Sequence, residues 1–195
     1  QSLYLDPLKA IAARQKDEAV YPGADAPRFY LLIDLKSEAE STYAALHDVL
    51  SGYKNLLTEF GKDGRIQYRA VTVIVSGNRP KATMAGQAVR YAGFDGRLSD
   101  LGKADSPSLV PWISDNFGQH FKWRGDGAMP EAEIAKLQSL VAQTHAEGKL
   151  LRLWATPDVP AMWDRLRKAG VDWINSDRLG ELSAHLGKSK AATQK

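Results

Sequence analysis

The stretch FYLLIDLKSE, from Phe29 to Glu38, is an apolar run that ends in a carboxylate and a lysine. A continuous apolar run of this length is typical of a strand buried on both faces of a parallel sheet. Charge at the end of such a strand is costly unless it is paired or bound to something. Asp34 and Lys36 are therefore either a structural ion pair or part of an active site, and the residues alone leave both readings open.

Similar apolar segments recur along the chain and alternate with segments of helical periodicity. This alternation predicts the α/β class with a parallel sheet. A long irregular stretch is predicted from Leu98 to Pro130. The predicted strands are RFYLLIDLK, YRAVTVIVSGN, YAGFDGR, KLLRLWATP and VDWINSD.

The predicted helices alternate with these strands, and four of them have candidate caps. Asp6, Ser37, Asp158 and Asp177 are of the residue types that accept hydrogen bonds from the first turn of a helix. The predicted helices are LDPLKAIAARQ, SEAESTYAALHDVLSGYKNLLTEFG, a short segment from Ala82 to Val89, PEAEIAKLQSLVAQTHAEG, VPAMWDRLRKAG and RLGELSAHLG.

The spacing of the strands bounds the architecture. The four βα steps from Phe29 to Val171 average about 36 residues, whereas a (β/α)8 barrel needs roughly 250 residues in total. Two interpretations follow: an open five-stranded sheet, or the last five βα units (strands 4–8) of a TIM barrel. Both predict one domain over residues 1–187, followed by a disordered tail at 188–195.

Composition excludes several classes of protein. The 195 residues are 44% hydrophobic and 25% charged, with a net charge of +3 and no cysteine, so disulfides, zinc-thiolate sites and thiol nucleophiles are absent. The scattered basic residues argue against a nucleic-acid partner. No apolar run approaches the length of a transmembrane segment, and no signal peptide is visible. The compartment stays open between secreted or periplasmic and cytoplasmic.

Polar and aromatic residues follow each predicted strand, and carboxyl ends of parallel strands are where such sheets place their sites. One carboxylate, one lysine and several arginines suit a phosphate ester bridged by a divalent cation with oxygen ligands, Mg²⁺ or Ca²⁺. No nucleophile or general base is identifiable, and His120 has no assigned role. The candidate site residues are Asp34, Lys36, Asn78, Asp95, Arg97 and Trp154.

The motifs SLYLDPL, LLIDLK, VTVIVSGNRP, FDGR, ISDNFGQHFKWRGDG, LLRLWATPD and AGVDWINSDRL occur in this order. Together they resemble the glycerophosphodiester phosphodiesterase-like branch of the phosphatidylinositol-specific phospholipase C superfamily. Within it they are most similar to the group that includes the altered-inheritance-of-mitochondria-6-like proteins. The resemblance extends to about Leu186.

This resemblance implies a (β/α)8 barrel that hydrolyses a small-molecule or lipid-derived phosphodiester with a divalent cation. It implies that Asp34 is a metal ligand, that Lys36 is the catalytic lysine facing the substrate phosphate, and that Trp154 lines the pocket. Asn78, Asp95 and Arg97 are expected to contact substrate. The two catalytic histidines of that family lie in motifs that this sequence lacks. We therefore expect an upstream segment of about 80 residues that carries them, and an inactive chain without it.

Two other functions stay open. A degenerate barrel would bind a ligand or partner without catalysis. A flavodoxin-like binding module is a weaker alternative, because SGNRPKATMAG lacks the spacing of a glycine-rich phosphate loop.

Overall fold

The computed structural model describes residues 1–16, 19–23 and 26–193, with side chains described as far as Gly187. The chain forms two compact units. The first comprises residues 1–95 and 105–111, and the second comprises residues 96–104 and 112–195.

The first unit begins with a helix and contains two sheets. Its parallel sheet has the strand order β1-β4-β6, and its small antiparallel sheet has the order β3-β2-β5. The elements are α1 Leu5–Ala13, β1 Phe29–Leu35, α2 Ala39–Ser51, β2 Glu59–Gly61, β3 Ile66–Gln67, β4 Val71–Gly77, α3 Lys81–Gly86, β5 Val89–Arg90 and β6 Gly93–Gly96.

Strand β4 is the centre of the parallel sheet of this unit. It pairs with β1 along its whole length, from Phe29 opposite Val71 to Leu35 opposite Gly77. On its other side it pairs in parallel with β6, where Ile74 lies opposite Gly93. Six of its seven residues are buried, which explains the continuous apolar run that predicted it.

The sequence predicted one long helix from Ser37 to Gly61, and this prediction is wrong after Ser51, where the chain turns into the antiparallel sheet. Helix α2 ends at Ser51, and β2 begins at Glu59. Leu56 and Leu57 continue the helical apolar spacing, but they are buried in the turn that leads into the sheet. The hydroxyl groups of Thr58 and Thr72, 2.8 Å apart, hold this turn against β4.

The second unit has three parallel strands in the order β7-β8-β9, each followed by a helix. The pairing runs from Trp112 opposite Leu150 to Asn116 opposite Trp154. The elements are a 3-10 helix Leu98–Asp100, β7 Trp112–Asn116, α4 Phe117–His120, α5 Glu131–Ala146, β8 Leu150–Trp154, α6 Pro160–Ala169, β9 Trp173–Ile174 and α7 Leu179–Thr193.

Strand β7 lies inside the segment predicted to be irregular, so that prediction is wrong between Trp112 and Asn116. Each unit has three parallel strands within the described residues, six instead of the five predicted. Mixed α/β structure with parallel strands is confirmed, and helices alternate with these strands as in TIM-type folds. Two expectations stay predictions. One is a complete barrel to which this chain contributes strands 4–8, and the other is a single domain over residues 1–187.

The helix termini differ from the predicted caps. Helix α1 begins at Leu5, so Asp6 lies in its first turn and accepts a hydrogen bond from the Tyr53 hydroxyl at 2.5 Å. Glu38, instead of Ser37, caps α2.

Two further termini depart from the prediction. Val159 is the N-cap of α6, so Asp158 does not cap it. Helix α7 runs to Thr193, into the segment 188–195 predicted as a tail, and residues 194–195 lie outside the described part of the chain. Within the described part, no helix is both long and apolar enough to cross a membrane.

Candidate functional site

Asp34 and Lys36 lie at the carboxyl end of β1 and contact each other. The Lys36 Nζ atom is 2.6 Å from Asp34 Oδ2, and the two side chains are 82% and 46% exposed. Solvent screens such a surface pair, so its contribution to stability is about 0–1 kcal/mol. The pair is therefore accessible to a ligand and contributes little to holding the sheet together.

Gly77, at the end of β4, allows the close approach of the two strands at this point. Its φ of +73° favours glycine, and a Cβ atom there would overlap Asp34 Oδ1 and the Leu35 carbonyl oxygen. A larger residue at position 77 would thus displace the carboxylate itself. The glycine keeps Asp34 in place at the edge of the sheet.

Asn78 joins the segments that follow β1 and β4. Its backbone N–H donates to the Leu35 carbonyl oxygen at 2.8 Å. Its side-chain Nδ2 donates to the Ser37 carbonyl at 2.9 Å and to the Lys36 carbonyl at 3.4 Å. These bonds position the main chain at Lys36. The predicted contact of Asn78 with substrate stays a prediction.

Asp95 lies two strands away from Asp34 and is buried, with 2% of its surface exposed. Its Oδ2 atom accepts a hydrogen bond from Ser76 Oγ at 2.5 Å, and its backbone carbonyl accepts one from Arg79 Nε at 2.7 Å. Because Ser76 is the register partner of Asp34, these polar side chains occupy one face of three neighbouring strands. Neither Ser76 nor Arg79 was among the predicted site residues.

Glu38 adds a permanent negative charge two residues after Lys36. Hydrogen bonds from the backbone N–H groups of Ser41 and Glu40 lower the pKa of Glu38 to about 2. The carboxylate therefore stays ionised over the whole physiological pH range. The segment from Asp34 to Glu38 thus presents two carboxylates and one ammonium group.

The second unit places Trp154 at the carboxyl end of β8, on the same face as Arg152. Along this strand Leu151 and Leu153 are fully buried on one face, whereas Leu150, Arg152 and Trp154 are half-buried on the other. Trp154 thus has a charged neighbour on the same face, two residues earlier along the strand. Sequence reasoning did not single out Arg152, although an arginine in the middle of LLRLW was a visible signal.

Ser114, on the neighbouring strand β7, contacts two arginines. Arg97 NH1 donates to its backbone carbonyl at 3.2 Å, and Arg152 NH1 donates to its hydroxyl at 3.0 Å. Arg152 NH2 also donates to the side-chain oxygen of Asn175, which follows β9. The predicted residue Arg97 and the unpredicted Arg152 are therefore brought together.

His120 contacts a carboxylate on the opposite face of β7. Its Nε2 atom lies 3.3 Å from Asp115 Oδ2. The same carboxylate accepts hydrogen bonds from the backbone N–H groups of Leu98 and Asn116 at 3.2 and 2.8 Å. Asp115 therefore anchors the main chain around β7, and His120 packs beside that anchor.

A divalent cation needs several oxygen ligands around one point. Among residues 1–16, 19–23 and 26–193, no three His, Asp or Glu side chains come together in a way that could hold a metal ion. The Asp34 carboxylate is moreover in contact with the Lys36 ammonium group. The described residues alone thus do not fit a metal centre, and the assignment of Asp34 as a ligand of Mg²⁺ or Ca²⁺ stays a prediction.

Two surface cavities lie away from these strand ends. One, of about 200 Å³, is lined by Lys9 and residues 52–56. The other, of about 180 Å³, lies between the loop at Trp123 to Met129 and helix α6. Neither is lined by a predicted site residue.

Comparison with known proteins finds a similarity to Altered inheritance of mitochondria protein 6 of Eremothecium gossypii. The identity is 26% over 211 aligned positions, which cover 93% of this chain and 54% of that protein. The chain thus spans about half the length of this curated relative. No family model matches the chain. No solved structure matches it either.

Proposed function

We propose that the protein containing this chain is a phosphodiester hydrolase of the glycerophosphodiester phosphodiesterase-like class, in the branch of the altered-inheritance-of-mitochondria-6-like proteins. The observation that carries the proposal is the exposed Asp34–Lys36 pair at the carboxyl end of a buried parallel strand. The similarity to a protein of that name along 93% of the chain supports the branch. The substrate in this proposal is a small-molecule or lipid-derived phosphodiester.

Lys36 is the residue proposed to contact the phosphate. Its ammonium group is a compact charge on a flexible stem, and 82% of its side chain is open to solvent. Asp34 holds that ammonium group at 2.6 Å before a ligand arrives. A phosphate oxygen would take over part of this contact, and Lys36 would then stabilise the negative charge that develops during cleavage.

The remaining machinery would come from residues outside this chain. A divalent cation would supply charge at the phosphate when bound, and its further ligands are not found among the described residues. The pair of histidines that acts as acid and base in glycerophosphodiester phosphodiesterase-like proteins lies in motifs that these 195 residues lack. Since the relative is almost twice as long as the aligned region, we propose that a further segment supplies these groups.

The test uses the product of the complete reading frame that contains these 195 residues. Hydrolysis of glycerophosphocholine and of bis(4-nitrophenyl) phosphate is measured with Mg²⁺, with Ca²⁺ and with a chelator. We expect divalent-dependent turnover, and we expect Lys36→Met and Asp34→Asn to lower kcat/KM by roughly 100-fold or more. Glu181→Gln is the matched control, because it breaks an exposed ion pair between Glu181 on α7 and Arg178, which precedes that helix. Wild-type rates in the Lys36→Met protein would contradict the proposal.

A second candidate is a non-catalytic domain that binds an anionic ligand or a partner. The contact between Asp34 and Lys36 favours it, because the ammonium group already offsets the charge that a cation would need. Under this alternative the complete protein binds phosphate compounds but does not hydrolyse any diester. Measuring binding and turnover on the same preparation separates the two functions.

A further inference from the structure

The surface cavity of about 180 Å³ lies in the second unit and has one apolar and one basic wall. The apolar wall is the loop from Trp123 to Met129, and the basic wall is helix α6. For comparison, a protein cavity of roughly 150 Å³ holds a benzene molecule. This cavity is therefore large enough for a small organic molecule, and none of its described lining residues belongs to the proposed hydrolase site.

Hydrogen bonds within the loop and to α5 fix the apolar wall. The carboxylate of Glu133 accepts from the backbone N–H groups of Lys122 and Trp123 at 2.9 and 3.1 Å. The indole N–H of Trp123 donates to the Asp126 carbonyl oxygen at 3.0 Å, which orients the ring. Since Trp123 and Met129 are also buried, the apolar surface of this wall is in place before any ligand arrives.

Helix α6 contributes two basic side chains to the cavity, Arg165 and Lys168, which lie one helical turn apart. Arg165 is half-buried and Lys168 is exposed. Within the described part of the chain, neither side chain has a hydrogen-bond or ion-pair partner. An anion that enters the cavity can therefore bind these two groups without first displacing a carboxylate from them.

Asp164 is the acidic residue among those that line the cavity, and its carboxylate is engaged by another helix. It lies four residues before Lys168, a spacing at which oppositely charged side chains on a helix can pair. Its Oδ1 atom lies instead 2.8 Å from His185 Nε2 on α7. The lining thus carries two positive charges and one negative charge, so it complements a single negative charge. A carboxylate has that charge, whereas a phosphate monoester carries about −1.5 to −2.

We propose that this cavity binds a small organic carboxylate. The carboxylate group contacts Arg165 and Lys168, and the apolar part packs against Trp123 and Met129. The planar guanidinium group of Arg165 offers a carboxylate two parallel N–H donors, and Lys168 adds a second positive charge. The inference goes beyond the proposed hydrolase activity and does not depend on it, because the lysine proposed to contact phosphate is Lys36 in the first unit.

The test measures binding of benzoate to the complete protein by ligand-observed NMR titration. Benzamide has nearly the same size without the charge, and acetate has the charge without the ring. These two reference compounds therefore separate the contributions of the basic wall and the apolar wall. We expect benzoate to bind with a Kd on the order of 1 mM. Both reference compounds should bind at least about tenfold more weakly.

Arg165→Gln removes the guanidinium charge from the cavity. We expect it to raise the Kd of benzoate about tenfold or more, as loss of a charge-assisted hydrogen bond does. Arg167→Gln is the matched control, because it makes the same change of charge at an exposed residue of α6 that is not part of the lining. The control should leave Kd unchanged. Lys168→Gln should raise Kd less than Arg165→Gln, because its side chain is exposed.

Ala161→Phe tests the cavity without removing a charge. Ala161 is an exposed lining residue in the first turn of α6, so a phenylalanine side chain there fills the cavity and leaves the core intact. We expect this variant to lose detectable benzoate binding, and thermal unfolding shows whether each variant is folded. Wild-type affinity for benzoate in folded Arg165→Gln or Ala161→Phe protein overturns the inference. Equal binding of benzamide and benzoate, or no benzoate binding by wild-type protein at about 10 mM, overturns it as well.

Discussion

Two acid–lysine pairs with the same spacing occur in this chain, Asp34–Lys36 and Glu147–Lys149. Both have one residue between the partners, and their N···O distances are 2.6 and 2.5 Å. They differ in exposure, because the side chain of Lys36 is 82% exposed whereas that of Lys149 is fully buried. Spacing and contact distance are therefore nearly the same in a pair whose lysine is exposed and in a pair whose lysine is buried.

Position on the strand accounts for the difference. Asp34 is the last but one residue of β1, at its carboxyl end, whereas Lys149 directly precedes the amino end of β8. Glu147 also accepts a hydrogen bond from the Gly102 backbone N–H at 2.7 Å, so its carboxylate joins two segments of the second unit. The comparison shows that the two residue types alone do not distinguish a structural ion pair from a candidate site. The end of the strand at which the pair lies is the better criterion.

The largest effect is expected from Glu147→Gln. This change leaves the buried Lys149 ammonium group without its carboxylate. Because the Glu147 side chain is 27% exposed, we expect a loss of about 3 kcal/mol of unfolding free energy, the lower end of the range for a fully buried pair. Urea unfolding of this variant and of Asp34→Asn provides the comparison, and we expect under about 1 kcal/mol for the exposed pair. Equal losses in both variants would contradict the distinction between the pairs.

The double variant Glu147→Gln/Lys149→Met is the control for this mechanism. It removes the stranded charge as well, so we expect it to recover a large part of the loss. A double variant no more stable than Glu147→Gln alone would mean that packing, and not the buried charge, causes the loss.

The next effect concerns Gly77, which adjoins the exposed pair. Gly77→Ala combines an unfavourable positive φ with overlap against Asp34 and the Leu35 carbonyl, so we expect a loss of about 3 kcal/mol. Gly102→Ala is the matched control, because its φ of +78° is similar and no atom lies within 4 Å of the added Cβ. It should cost about 1 kcal/mol, the price of the backbone conformation alone. Urea unfolding measures both, and similar losses would refute the steric contact.

The Glu147–Lys149 pair also predicts a dependence of stability on pH. The hydrogen bond from Lys149, followed by that from the Gly102 N–H, lowers the pKa of Glu147 in the folded protein. A lowered folded-state pKa means that the stabilisation is present above the unfolded value of about 4.3 and is lost as pH falls through the folded value. Wild-type protein should therefore lose more stability than Glu147→Gln between pH 5 and strongly acidic pH. Parallel curves for both proteins would exclude this contribution.

The smallest effect is expected from Lys36→Met. An exposed lysine in a screened ion pair contributes about 0–1 kcal/mol, so the unfolding free energy should stay close to that of the wild type. Urea unfolding at low and high salt checks this value. A loss above about 2 kcal/mol would make Lys36 a structural residue and would weaken its proposed contact with phosphate.

The parallel strands could be predicted because β1 and β4 are long apolar runs between helices. Strand β7 could not, because its residues WISDN are half polar and follow Pro111 directly. The antiparallel sheet was missed for a related reason. Its strands are only two or three residues long, and the leucines before them keep the period of a helix.

The candidate site was predictable where a charge follows a buried strand, as at Asp34 and Lys36. Arg152 was missed, because its hydrogen-bond partners are Ser114 on β7 and Asn175 after β9, and the register of those strands cannot be derived from the local sequence. The roles expected of Asn78 and Asp95 are untested, but their bonds to the main chain and to Ser76 could not have been derived from spacing.

The bonds of Asn78 have a consequence for the entropy of ligand binding at Lys36. Because Asn78 Nδ2 contacts the carbonyl groups of Lys36 and Ser37, the main chain there is ordered before any ligand arrives. A ligand would then restrict only the lysine side chain, at no more than about 2 kcal/mol, and would not also order the backbone at about 1–2 kcal/mol per residue. The amide of one asparagine thus preorganises the peptide at Lys36, and Asp34 holds the ammonium group at the end of its side chain.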